Sequence, residues 1–100
     1  MLSDLECYKL QFPNNFDDYA WEVEYKGWFN DVILEFKGKS YKLKFYDPVR
    51  LSQDIDDELK SNSLFYEENL LVIKLVTRVN IENAVKLLIE SDRISELHGM

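Results

Sequence analysis

One hundred residues, 46% of them hydrophobic and 14% aromatic, suffice for one domain with its own core and exclude a disordered chain. No apolar run approaches the roughly 20 residues that span a bilayer, and Met1-Leu2-Ser3-Asp4-Leu5-Glu6 lacks the basic start of a signal peptide, so a soluble cytoplasmic protein is expected. Nineteen acids against twelve bases leave a net charge of −7, which disfavours nucleic acid and anionic membrane and favours encounter with cationic partners.

The charge is segregated along the chain. Residues 1–25 net −5, residues 26–50 net +3, residues 51–75 net −4 and residues 76–100 net −1. Cys7 is the single cysteine, which excludes an internal disulfide and a cysteine-based metal site; a small buried hydrophobe is favoured over a reactive thiol.

In chain order, Leu5 to Phe12 places Tyr8, Leu10 and Phe12 on one side and predicts a first strand, stopped by Pro13-Asn14-Asn15. From Tyr19, the alternation of Tyr19, Trp21, Val23 and Tyr25 against Ala20, Glu22, Glu24 and Lys26 predicts a half-buried second strand, turned by Gly27. Asp31–Phe36 and Ser40–Tyr46 form the strongest hairpin signal, joined by Lys37-Gly38-Lys39. Asp47 is a fit N-cap and Pro48 a fit first residue for a helix running to Lys60, with Leu51, Ile55 and Leu59 as its apolar stripe. Leu70–Val76 is nearly all apolar and predicts a strand buried on both faces, favouring a central position. Thr77 and Asn80 are candidate caps for a second helix with Ile81, Ala84, Val85, Leu88 and Ile89 inward, ending at Ser91-Asp92.

The order β-β-β-β-α-β-α predicts an α+β fold: a mainly antiparallel sheet of about five strands with two helices packed on one face. No linker or repeat divides residues 1–100, and frayed ends are expected at 1–4 and 92–100.

No catalytic set emerges. His98 is the only histidine and stands in the tail, and Gly27, Gly38 and Gly99 make no phosphate-binding loop. Asp54-Ile55-Asp56-Asp57-Glu58 lacks the glycine and ligand register of a calcium loop; a solvated helix face or a partner-binding face remains. Lys37, Lys39, Lys42 and Lys44 guard an exposed strand against aggregation, with a small nucleic-acid patch beside Tyr41 and Tyr46 as the weaker reading. Trp28-Phe29 after Gly27 fits two roles equally, an interface anchor or a cap on the core.

Gly27-Trp28-Phe29, Lys42-Leu43-Lys44-Phe45-Tyr46-Asp47-Pro48-Val49-Arg50-Leu51, Asn69-Leu70-Leu71-Val72-Ile73 and Val76-Thr77-Arg78-Val79-Asn80-Ile81 resemble small bacterial immunity proteins of polymorphic toxins, including those of contact-dependent growth inhibition. That resemblance implies a non-enzymatic cytosolic inhibitor, without a cofactor, that binds one toxin domain. An acidic inhibitor is steered onto a basic nuclease and covers its active site or substrate groove. The acids expected to act are Asp54, Asp56, Asp57 and Glu58, then Glu67 and Glu68, with Asp17 and Asp18 next and Trp28 and Phe29 as apolar anchors. The alternatives are an acidic interaction module without a toxin, such as an adaptor or phage-type inhibitor, and a small enzyme working through carboxylates alone. A homodimer through an apolar edge strand is compatible with the pattern.

Overall fold

The hairpin anticipated at 31–46 lies at the centre of a computed structural model that describes residues 8–100. Strands β2 (Trp28–Phe36) and β3 (Lys39–Tyr46) pair antiparallel across a two-residue turn. Both turn residues have positive φ, Lys37 at 51° and Gly38 at 80°, the mirror-type geometry whose twist matches that of the strands. Strand β1 (Tyr8–Gln11) adds antiparallel to the outer side of β2. Strand β4 (Leu70–Val72) adds parallel to β3, giving the order β1-β2-β3-β4.

A bulge sets which side chains face the core. Phe29 lies opposite Phe45 and Val32 opposite Leu43, so Asn30 and Asp31 together span the place of Lys44. The extra residue puts Phe29 on the same face as Val32, Leu34 and Phe36, against Tyr41, Leu43 and Phe45 of β3. Onto this face pack helix α3 (Arg78–Glu90) through Ile81, Val85 and Ile89, helix α1 (Ala20–Lys26) through Val23, and the short turn Phe16–Asp18 through Phe16. Phe16 stands 5.0 Å from both Phe12 and Phe29, ring to ring. Each fully buried aromatic or leucine here contributes about 1.5–3 kcal/mol.

Helix α2 (Pro48–Ser61) forms the crossover from β3 to β4 and starts as the sequence predicts. The Asp47 carboxylate accepts from Arg50 N at 2.7 Å, and Pro48 occupies the first turn, where its missing N–H leaves no bond unmade. Thr77 caps α3 in the same way, accepting from Asn80 N at 3.2 Å.

The α+β class stands, but four details differ from expectation. The described sheet has four strands rather than about five and is mixed, antiparallel in two pairings and parallel in the third, and three α-helices accompany it rather than two. Residues 20–26 form α1, not a strand: Tyr19 and Val23 satisfy both a period of two and an i, i+4 spacing. Gly27 at φ 81° closes the helix with its N–H on Val23 O, and Glu22 pairs with Lys26 at 2.9 Å, so capping decides the outcome. The 70–76 segment lies at an edge rather than centrally. It serves several surfaces: Leu71 and Ile73 turn to the core, Val72 and Leu75 are exposed, and Val76 is buried on the way into α3. Finally, α2 does not join the other helices on the core face, since none of its residues is buried.

Residues 92–100, expected to fray, carry a buried Ile94 and are tied to the body: His98 N donates to Asn69 Oδ1 and His98 O accepts from Asn69 Nδ2, both at 2.8 Å, and Met100 N donates to Ser40 O at 2.8 Å. The start of the first predicted strand, the fraying of 1–4 and the role of Cys7 lie outside the described residues.

Candidate partner-binding surface

The root of α2 is held firmly. Gly27 O accepts from Asp47 N at 2.8 Å, joining the end of α1 to the cap of α2. A Cβ at Gly27 would stand 2.6 Å from Asp47 Oδ2, so only glycine allows this approach. Strand alternation directs Tyr46 to the sheet face opposite the core, where it is buried and its hydroxyl donates to Asp54. Arg50 Nε donates to the same carboxylate at 2.9 Å, and Lys44 pairs with Glu67 beside it. Burial pushes the Tyr46 hydroxyl up to about 12; the hydrogen bond and charge of Asp54 and the charge of Glu67 add to this, and Arg50 opposes it. The phenol therefore keeps its proton at neutral pH and acts as a donor that fixes the helix.

The far half of α2 is free. Every residue from Asp56 to Leu64 is exposed, including Leu59, which continues the apolar stripe of Leu51 and Ile55. Its acids have few intramolecular partners. Asp57 comes to 3.8 Å from the exposed Lys60, Glu58 accepts from Asn62 at 2.7 Å, and Asp56 has no ion pair among the described residues. Leu64 and Tyr66 beyond the helix are exposed as well. Anchored at one end and bare at the other, α2 presents carboxylates beside apolar side chains.

The predicted partner-binding residues therefore separate. Asp56, Asp57 and Glu58 share the projecting half of α2, whereas Asp54 and Glu67 are engaged at its root by Arg50, Tyr46 and Lys44. Glu68 is exposed, 3.6 Å from His98 Nδ1. Asp17 pairs with Arg78 at 3.3 Å and Asp18 is exposed near it in the chain, on the Phe16–Asp18 turn. Trp28 is half-buried opposite Tyr46, and Phe29, 7% exposed, fills the core and offers no surface.

Two residues missed in the sequence are prominent here. Trp21 and Tyr25 are 70% and 87% exposed, one turn apart on the outer side of α1. Read as a strand, 19–26 puts them on the core side with Val23; the i, i+4 spacing followed by a helix-stopping glycine was the available signal. Among the described residues no three His, Cys, Asp or Glu side chains gather to hold a metal ion, and no helix is long and apolar enough to cross a membrane. No family model, curated protein or solved structure matches the chain.

Proposed function

We propose that this protein is an immunity protein that binds a basic toxin domain in the cytoplasm and blocks it without chemistry of its own. The projecting acidic half of α2 carries this reading. Three consecutive carboxylates on a braced helix would enter a groove built for a phosphate backbone, where cationic side chains replace the solvent they give up. Long-range attraction from a molecule of charge −7 raises the encounter rate, and the exposed Leu59 and Leu64 exclude water from the contact. Trp21 and Tyr25 form a second contact of the side-chain types that dominate interface energetics.

The test is co-expression with the toxin domain encoded beside the gene. The wild type should restore growth and form a one-to-one complex whose association slows with salt. Asp56→Lys, Asp57→Lys and Glu58→Lys together should lower the on-rate at least about tenfold at low salt and remove most of its salt dependence, with the fold unchanged. Full protection and an unaltered on-rate in the triple variant would remove α2 from the interface. Absence of any complex with that domain refutes the immunity reading itself.

A further inference from the structure

A second surface, on the face of the sheet opposite the Tyr46 side chain, has the opposite charge. Strand β4 is one edge of the described sheet, and on its core side a groove of about 680 Å³ lies between it and α3. Leu71, Ile73, Ala84, Leu87 and Leu88 give it an apolar floor. Lys74 and Arg93 stand on its rim, neither has an ion-pair partner among the described residues, and no carboxylate lines it. In a chain with seven more acids than bases, a groove whose charged groups are both cations is distinctive.

The backbone is also free to bind. Asn69 O accepts from Lys44 N and Ile73 N donates to Tyr46 O, so odd-numbered residues of this segment face β3. Alternation then directs the N–H and C=O groups of Leu70 and Val72 outward, at an edge three residues long. A strand added there sends every second side chain between β4 and α3, onto Leu87 and Leu88.

We propose that the β4–α3 groove binds an extended acidic peptide, which adds as a fifth strand to β4, places one or two apolar side chains in the groove and sets carboxylates against Lys74 and Arg93. A second copy of this chain is disfavoured as the occupant, because a symmetric pairing through this edge brings the Lys74 and Arg93 groups of two copies into one interface. This site is separate from the α2 surface, so the proposal stands independently of the toxin reading.

The probe is the blocked peptide Asp-Val-Leu-Val-Asp, titrated into ¹⁵N-labelled protein and followed by amide shifts. Shifts should concentrate at residues 70–75 and 83–93 and saturate with a Kd below about 1 mM, and the lysine-ended peptide Lys-Val-Leu-Val-Lys should bind at least about tenfold more weakly. Leu87→Glu closes the groove to apolar side chains, and Val72→Pro removes the outward N–H while leaving the floor of Leu71, Ile73, Ala84, Leu87 and Leu88 in place; each should weaken binding about tenfold or more. Both positions are exposed, and an unchanged amide spectrum elsewhere verifies folding of each variant. Equal affinity for the two peptides, shifts scattered over the molecule, or no saturation by about 5 mM overturns the proposal. So does sedimentation showing a dimer that Leu87→Glu dissociates, since a second copy then occupies the edge.

Discussion

Replacing Asn69 should loosen the C-terminal segment and the sheet together. Its Nδ2 donates to Lys42 O at 3.0 Å and to His98 O at 2.8 Å, its Oδ1 accepts from His98 N at 2.8 Å, and its own carbonyl accepts from Lys44 N at 3.0 Å. One side chain thus closes part of the edge of β3 that β4 is too short to reach. Asn69→Ala removes three of these bonds, and at a half-exposed site each is worth about 0.5 kcal/mol. Asn69 also holds φ at 54°, where alanine costs about 1 kcal/mol and glycine nothing. The alanine variant should therefore lose about 2.5 kcal/mol and the glycine variant about 1.5 kcal/mol. At this chain length each kcal/mol moves Tm by roughly 4–8 °C. Urea unfolding of the wild type and both variants gives the ladder, and hydrogen exchange locates it: the His98 and Met100 amides should lose protection in both variants. Equal stability of alanine and glycine variants refutes the backbone part of the reasoning. Retained protection at His98 refutes the side-chain part.

Gly27→Ala meets two penalties, a φ of 81° and a Cβ 2.6 Å from the Asp47 carboxylate, and should cost about 2–3 kcal/mol in urea unfolding, with amide shifts concentrated at the start of α2. Tyr46 is held protonated in the fold, with its ionisation raised from 10 to about 12, so its contribution is complete below pH 10 and is lost as pH rises toward 12. Between those limits the wild type should lose stability of the order of 2 kcal/mol more than Tyr46→Phe; parallel pH curves for the two proteins would contradict this. Trp21→Ala and Tyr25→Ala remove exposed rings, so each should change unfolding stability by less than about 0.5 kcal/mol while weakening the proposed toxin complex about tenfold or more by calorimetry.

The parts legible in the sequence are those where a local rule acts alone. Asp47-Pro48 and Thr77 mark helix starts because capping needs only neighbours in the chain, and Lys37-Gly38 marks the hairpin because the turn itself demands positive φ. Residues 19–26 mislead because eight residues are too few to separate a period of two from a spacing of four. The apolarity of 70–76 is visible, but its division among core, edge and the approach to α3 depends on tertiary contacts. The same limit applies to the acids: spacing groups Asp54 with Asp56, Asp57 and Glu58, and only the position of Tyr46 and Arg50 shows that Asp54 belongs to the root of α2. Asn69 carries no sequence signal of its role, since its four bonds join three segments far apart in the chain.

The bulge in β2 makes chain length an instruction about direction. Between the Lys37-Gly38 turn and Gly27, β2 uses one residue more than β3 needs, and that residue fixes which of Trp28 and Phe29 enters the core. Losing Asn30 or Asp31 would interchange them, sending the larger indole inward and rotating Gly27 by half a pleat away from Asp47. The bearing of α2 is set at that junction, so its acidic half is aimed by a count of residues in a strand it scarcely touches. Side-chain changes along the outer face of β2 leave this aim intact, whereas an insertion or deletion of one residue redirects it. Variation among relatives of this chain should therefore be free in composition at Asn30 and Asp31 and strict in number.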